Sequence, residues 1–210
     1  LNDNENALLS YSGGLNVDYA LSKRWGLQSG MYFSRIGQVN NDALEYAYNG
    51  KDGLLYAIST STGNINISFE NIPDNIRITN TPKDSIGGSG SATIEQNFDF
   101  FEVPFLLKYK ILNRKFSFNL SGGLSPAYLV KNSTYLTVDD EKYNIGDAGN
   151  LNSLLVNTSV GIGLEYKAFK KLSFSLEPTF KYSLVSLNKD SEFYYHPYSL
   201  SFFTGVKFSF

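Results

Sequence analysis

The sequence predicts an all-β chain folded as an antiparallel up-and-down β-barrel, and three observations predict it. Apolar residues alternate with small or polar ones over long stretches, tight connections alternate with long ones, and no stretch of helical period competes. The alternation is clearest over 116–130. There Phe116, Phe118, Leu120, Gly122, Leu124, Pro126, Tyr128 and Val130 share one face, against Ser117, Asn119, Ser121, Gly123, Ser125, Ala127 and Leu129 on the other. A period of two puts successive side chains on opposite faces of a strand.

Taken in order, strands are predicted over 8–21, 25–37, 97–112, 115–130, 152–167, 171–185 and 198–210. In the fifth, Leu154, Val156, Thr158, Val160, Ile162, Leu164 and Tyr166 oppose Leu155, Asn157, Ser159, Gly161, Gly163, Glu165 and Lys167. In the sixth, Leu172, Phe174, Leu176, Pro178, Phe180, Tyr182 and Leu184 oppose Ser173, Ser175, Glu177, Thr179, Lys181 and Ser183. Pro104 and Pro178 fall mid-strand and remove a ladder donor, so bulges or local kinks are expected there. Three connections are tight: Ser22-Lys23-Arg24, Asn113-Arg114 and Ala168-Phe169-Lys170. They alternate with long ones at 39–96, 131–151 and 186–197. The first of these carries strand-like pieces (Leu54–Ser61, Ile65–Phe69), read as a hairpin, and a flexible Gly87-Gly88-Ser89-Gly90 stretch.

Composition narrows the partners. The 210 residues suit one domain, spanning 1–210 with 39–96 as a loop insertion. With 18 basic and 20 acidic residues, no polyanion such as nucleic acid is implied. There is no cysteine, hence no disulfide framework and no thiol-ligated metal, and no cofactor motif appears. No run approaches the roughly 18 apolar residues of a membrane-spanning helix. The chain begins at Leu1 within a polar stretch, which reads as a processed or truncated product.

Alternation alone fits both a membrane barrel, apolar face outward, and a lipocalin-like soluble one, apolar face inward. Three features select the transmembrane form. The polar face is rich in Ser, Gly, Asn and Thr with sparse charge, which suits a crowded lumen better than a soluble exterior. Aromatics gather at the turn-proximal ends of the apolar face: Tyr19, Trp25, Tyr109, Phe116 and Tyr166, with Phe208 and Phe210 on the last strand. Eight residues from Tyr19 and Tyr109 on the same face lie Tyr11 and Phe101, and on a third strand Phe174 leads in the same way to Tyr182. Eight residues at ~3.3 Å, tilted about 40°, span roughly 20 Å, near the ~25 Å apolar band of membrane barrels. Finally, Phe208 and Phe210 end an alternating strand, as a signal read by barrel-assembly machinery does.

Short turns on one rim and long loops on the other place the short turns and C-terminus in the periplasm of an outer membrane, and the long loops outside the cell. Seven strands bring both ends to the short-turn side, whereas single-chain barrels use even numbers. An eighth strand is therefore expected upstream of Leu1, with Leu1–Asn6 ending another extracellular loop.

The stretch Phe101-Glu102-Val103-Pro104-Phe105-Leu106-Leu107-Lys108-Tyr109 resembles a motif of the Bacteroidota-type, PorT-like outer-membrane β-barrel domain family. Gly122-Gly123-Leu124-Ser125-Pro126-Ala127-Tyr128-Leu129 and Phe203-Thr204-Gly205-Val206-Lys207-Phe208 look like further strands of that family, and the resemblance runs from about residue 8 onward. It implies fold and compartment. Its one named role, in protein secretion and maturation, does not transfer on these motifs.

Inward positions hold Asp18, Glu102, Lys108, Lys110, Glu165, Lys167, Glu177, Lys181 and Lys207. Charges in a narrow lumen must pair, so Glu102, Lys108, Glu165, Glu177, Lys181 and Lys207 are expected to form a structural salt-bridge plug rather than a proton or ion path. Lys108, Lys110, Glu165, Lys167 and Lys207 belong near the short-turn rim, with Glu102, Glu177 and Lys181 deeper. His196, near Asp190 and Ser191, lacks the specific spacing of a catalytic set, and Asp139-Asp140-Glu141 reads as a solvated turn. No catalytic, metal or cofactor-binding residue is assigned. The expected function is a non-enzymatic scaffold, binding or accessory subunit, in contact with outer-membrane lipid and, through its long loops, with other outer-membrane proteins. A narrow solute channel comes second, and a hydrolase or acyltransferase third.

Overall fold

The computed structural model describes residues 5–40, 48–50, 53–55, 57–60, 63–66, 93–138, 140–189 and 195–208, and every regular element among them is a β-strand. In chain order, β1 (Glu5–Ala7) and β2 (Tyr11–Ala20) lie antiparallel along β3 (Trp25–Asn40). Within the first long connection, β4 (Tyr48–Gly50) pairs with β5 (Gly53–Leu55), and β6 (Ala57–Thr60) with β7 (Gly63–Asn66). The piece expected over 54–61 is thus divided between two hairpins, and residues 67–69 and 87–90 lie outside the described residues. The chain returns as β8 (Thr93–Glu102) and β9 (Phe105–Asn113), then β10 (Phe116–Val138), β11 (Glu141–Gly146), β12 (Leu154–Lys167), β13 (Leu172–Ser183) and β14 (Tyr198–Phe208).

With β1 and β2 as one interrupted strand, and β8 and β9 as another, the wall has the seven expected strands, each antiparallel to the next. β2 and β14 are its edges. Both run toward the short-turn rim, so they are parallel to each other, and no ladder joins them.

Exposure settles which face is which. Leu15, Val17, Met31, Phe105, Leu120, Leu124, Val160, Ile162, Leu176, Phe180 and Phe202 are exposed, while Gln28, Ser117, Asn119, Ser121, Ser125, Asn157, Ser159 and Thr179 are buried. The apolar rows therefore look out and the polar rows look in. This inversion of a soluble protein is stable only against hydrocarbon.

Three expectations need correction. Register stays constant across both prolines, so neither marks a bulge. Pro104 sits at the break between β8 and β9, and at Pro178 the β12–β13 ladder skips from Gly161↔Thr179 to Leu164↔Leu176, as a missing N–H requires. Among the described residues the register shifts fall between Leu129 and Lys131, between Phe118 and Asn119, and between Thr134 and Tyr135. Second, residues 131–151 are not simply a loop. β10 runs on to Val138, turns through Asp140 at φ 67°, a conformation Asp tolerates, and returns as β11. β3 and β8 likewise extend to Asn40 and from Thr93.

Third, the interior is not polar throughout. Toward the long-loop end, buried Phe98, Phe100, Ala127, Ala148, Leu151, Leu155 and Leu187 pack with Ile36, Leu129, Val185 and Tyr195 into an apolar cap. The shift at Val130 helps to build this end, because one extra residue reverses the facing of everything beyond it. Leu136 would otherwise continue the outward even-numbered row of Leu124 and Tyr128; instead it is 0% exposed.

If the apolar face meets lipid, Val160→Arg, at a position 62% exposed in mid-wall, should destabilise the barrel in phospholipid vesicles by about 2–4 kcal/mol. Guanidinium titration of wild type and variant measures this. A cost near zero, as at a water-exposed surface, contradicts the assignment.

Candidate functional site

The charged lumen is built by alternation: each contributing side chain sits on an inward row, and the ladders set its height. Near the short-turn rim, Lys207 on β14 donates to Asp18 Oδ2 on β2 at 2.6 Å and lies 3.7 Å from Glu165 Oε2 on β12. Lys108 on β9 lies 3.9 Å from the other Asp18 oxygen and donates to Glu177 Oε2 on β13 at 3.2 Å. Ser121 on β10 completes that group by donating to Glu177 Oε1 at 2.6 Å. Higher up, Lys181 donates to both oxygens of Glu102, at 2.7 and 2.8 Å.

The structure places the six expected residues in two groups: Lys108, Glu165, Glu177 and Lys207 come together through Asp18, which bridges the two lysines, while Glu102 and Lys181 pair with each other. Glu177 joins the rim group through Lys108 rather than the deeper one. Lys167 does not take part, bonding instead to Asn113 beside a short turn. Burial without a partner would be prohibitive for these charges, and pairing offsets that cost.

Glycine makes the room. Gly161 faces the lumen between these groups, and a Cβ there would stand 2.6 Å from Ser121 Oγ and 3.0 Å from Glu177 Oε1. Two cavities flank the deeper pair. One of about 290 Å³ on the short-turn side includes Asp18, Lys108, Glu177 and Lys207 in its lining. The other, about 670 Å³ under the cap, includes Phe98, Phe100, Leu155 and Tyr195. Glu102, Lys181 and Phe203 line both, so the ion pair stands at the partition between them. Tyr32, whose hydroxyl accepts from Asn16 at 2.8 Å, meets Phe203 edge-on at 5.9 Å between ring centres and narrows the same level.

The girdle is where alternation put it. Trp25 and Tyr109 lie 4.7 Å apart, Phe116 and Tyr166 5.0 Å apart, and Tyr19 is exposed beside them. Phe208 is exposed at the same rim, while Phe210 lies outside the described residues. The opposite girdle holds Tyr11, Phe101 and Tyr182, and also Tyr128 and Tyr198, exposed continuations of the same outward rows. His196 stacks on Tyr182 at 5.9 Å and 5° and bonds through Nδ1 with the Ser183 carbonyl at 3.0 Å. Asp139, Asp190 and Ser191 lie outside the described residues.

An outward apolar band bounded by two aromatic girdles, around a paired polar lumen, is the geometry of an outer-membrane barrel. The sequence pattern of the outer membrane protein beta-barrel domain matches residues 2–189. The chain belongs to this family. It is an integral outer-membrane β-barrel protein. Neither curated proteins nor solved structures gave a match.

Breaking the partition pair tests how far the barrel depends on pairing. Lys181→Met leaves the Glu102 carboxylate buried alone and should cost about 3 kcal/mol, whereas Glu102→Gln with Lys181→Met should cost clearly less. Chemical denaturation followed at the single tryptophan, Trp25, reads both; equal losses would show the two groups to be uncoupled.

Proposed function

We propose that this outer-membrane barrel is non-enzymatic and serves as a scaffold, binding or accessory subunit, with its long-loop end outside the cell and its short turns in the periplasm. The observation that carries this reading is the obstructed interior. Paired charges occupy the short-turn half, Tyr32, Phe203 and the Glu102–Lys181 pair narrow the middle, and an apolar cap closes the loop end. Such a lumen has little to transport and supports a role for the rims. The sequence around Phe101–Tyr109 supports the PorT-like, Bacteroidota assignment, and Phe208 supports recognition by the assembly machinery.

In the same reading an eighth strand lies between β2 and β14. Two parallel edges with unpaired backbone groups are untenable in hydrocarbon, and one antiparallel strand between them satisfies both.

The second reading, a narrow solute channel, draws on the two cavities that only the Glu102–Lys181 level divides. A hydrolase finds less support, since His196 is engaged by Tyr182 and a backbone carbonyl.

Two measurements decide. In planar bilayers the purified full-length protein should stay electrically silent; stable, reproducible conductance steps would replace the scaffold reading with the channel. Val17→Cys with Val206→Cys should form no disulfide in native membranes, because an intervening strand holds the edges about 10 Å apart, beyond disulfide reach. Efficient cross-linking would remove the eighth strand.

A further inference from the structure

The two rims differ sharply in charge. All three short turns carry exposed basic residues: Lys23 and Arg24 between β2 and β3, Arg114 and Lys115 between β9 and β10, Lys170 and Lys171 between β12 and β13. No acidic residue occurs in these turns, and among the described residues none of the six is in an ion pair. The chain as a whole carries a net charge of −2, so this rim is a local concentration of positive charge. At the opposite rim Arg35 and Lys142 are met by carboxylates, whereas Lys131 and Lys189 are in no ion pair among the described residues. Arg35 forks onto both oxygens of Asp99 at 2.5 and 2.7 Å, and Lys142 meets Glu95 at 2.7 Å. Burial works against the Glu95 anion, yet hydrogen bonds from Lys142 and Asn97 hold its carboxyl below the usual range.

The height of the basic ring is fixed by the girdle beside it. Arg24 Nη1 donates to the Tyr109 hydroxyl at 3.1 Å, and Lys115 Nζ lies 5.6 Å from the centre of the Tyr166 ring. Tyr109 and Tyr166 are girdle residues, so these cations stand where hydrocarbon gives way to headgroups. The ring also reaches around the wall, since its three turns join different pairs of strands. A protein partner would be met by a patch on one side; a collar fits the lipid annulus.

We propose that this collar binds the anionic headgroups of phospholipids in the adjoining leaflet, with Lys23, Arg114, Lys170 and Lys171 meeting lipid phosphate directly and Arg24 and Lys115 braced on the aromatic girdle. Clustered basic residues next to a bilayer attract anionic lipid, and guanidinium and ammonium groups form charge-assisted hydrogen bonds with phosphate. Binding does not rest on the proposed orientation; only the identity of the leaflet, the inner one, does.

The test uses the full chain in vesicles of phosphatidylcholine with about a quarter phosphatidylglycerol, and spin-labelled versions of both lipids. Wild type should immobilise phosphatidylglycerol several-fold more strongly than phosphatidylcholine, with the preference shrinking as salt is raised. Lys23→Gln with Arg114→Gln, Lys170→Gln and Lys171→Gln should bring the ratio close to one. Lys131→Gln with Lys142→Gln at the other rim should leave it unchanged. Heat-modified migration on gels checks that each variant is folded. Equal selectivity in wild type and the four-fold variant overturns the proposal, as does a preference lost only in the opposite-rim variant. Protease access to the long loops in whole cells reads orientation separately: loops closed to protease, with lipid preference intact, would move the collar to the other leaflet and leave its binding standing.

Discussion

A wall that faces hydrocarbon must satisfy two demands at once: each backbone donor and acceptor needs a partner within the wall, and each outward side chain must be apolar. Strand alternation meets both with one pattern. The ladders consume the backbone groups, and the period of two sends Leu, Phe, Val and Tyr out while Ser, Asn and Gly turn in. A one-residue slip of any strand would exchange the two sets, so register is held wherever the band is apolar. The shifts that do occur lie away from mid-band, beside the turn at Phe118/Asn119, at the band's upper edge at Leu129/Lys131, and beyond it at Thr134/Tyr135.

The lumen then inherits the problem that soluble proteins meet at their cores. Its charges are shielded from bulk solvent by the wall and must find one another. Near the short-turn rim the arrangement is a chain rather than a set of isolated pairs: Glu165, Lys207, Asp18, Lys108, Glu177 and Ser121 follow one another across six different strands. Gly161 and Gly163 bring backbone rather than side chains to the β12 wall at this level, and Asn119 and Glu177 fill the space so left. The network depends on small residues as much as on charged ones.

Much of this was legible in the sequence, because period and charge are local properties. Seven strands, the outward rows, the short-turn girdle and the members of the lumenal network all follow from residue spacing. What was not legible depends on register between distant strands. A bulge at Val130 leaves no mark in composition, yet it decides that Leu136 is buried, and the apolar cap collects Phe98, Leu155 and Leu187 from segments that share no sequence pattern. The bulge expected at the prolines fails for a related reason. Pro104 and Pro178 do remove ladder donors, but an interrupted ladder can resume in unchanged register, and here it does. The parity argument rests on strand direction alone and needs no side chain, which is why the parallel edges of β2 and β14 accord with it.

The bulge also bears on where specificity resides. Beyond Val130, β10 gains β11 on one side and keeps β8 on the other, and β3 rises with β8 to Asn40. One sector therefore stands above the rest of the wall as hydrogen-bonded sheet, with Ile94, Leu136 and Ile145 buried on it. A surface of that kind holds its side chains more rigidly than an irregular loop does, and ordering it on binding costs little conformational entropy. Arg35 with Asp99 and Lys142 with Glu95 decorate this sector, whereas the basic turns at the other end carry no counter-charge. The two ends are thus chemically unlike: a mixed-charge platform suited to a structured partner, and a cationic collar suited to lipid. On the proposed reading, a barrel with an obstructed lumen and two such ends works through its rims, with the wall fixing how far apart and how steadily they are held.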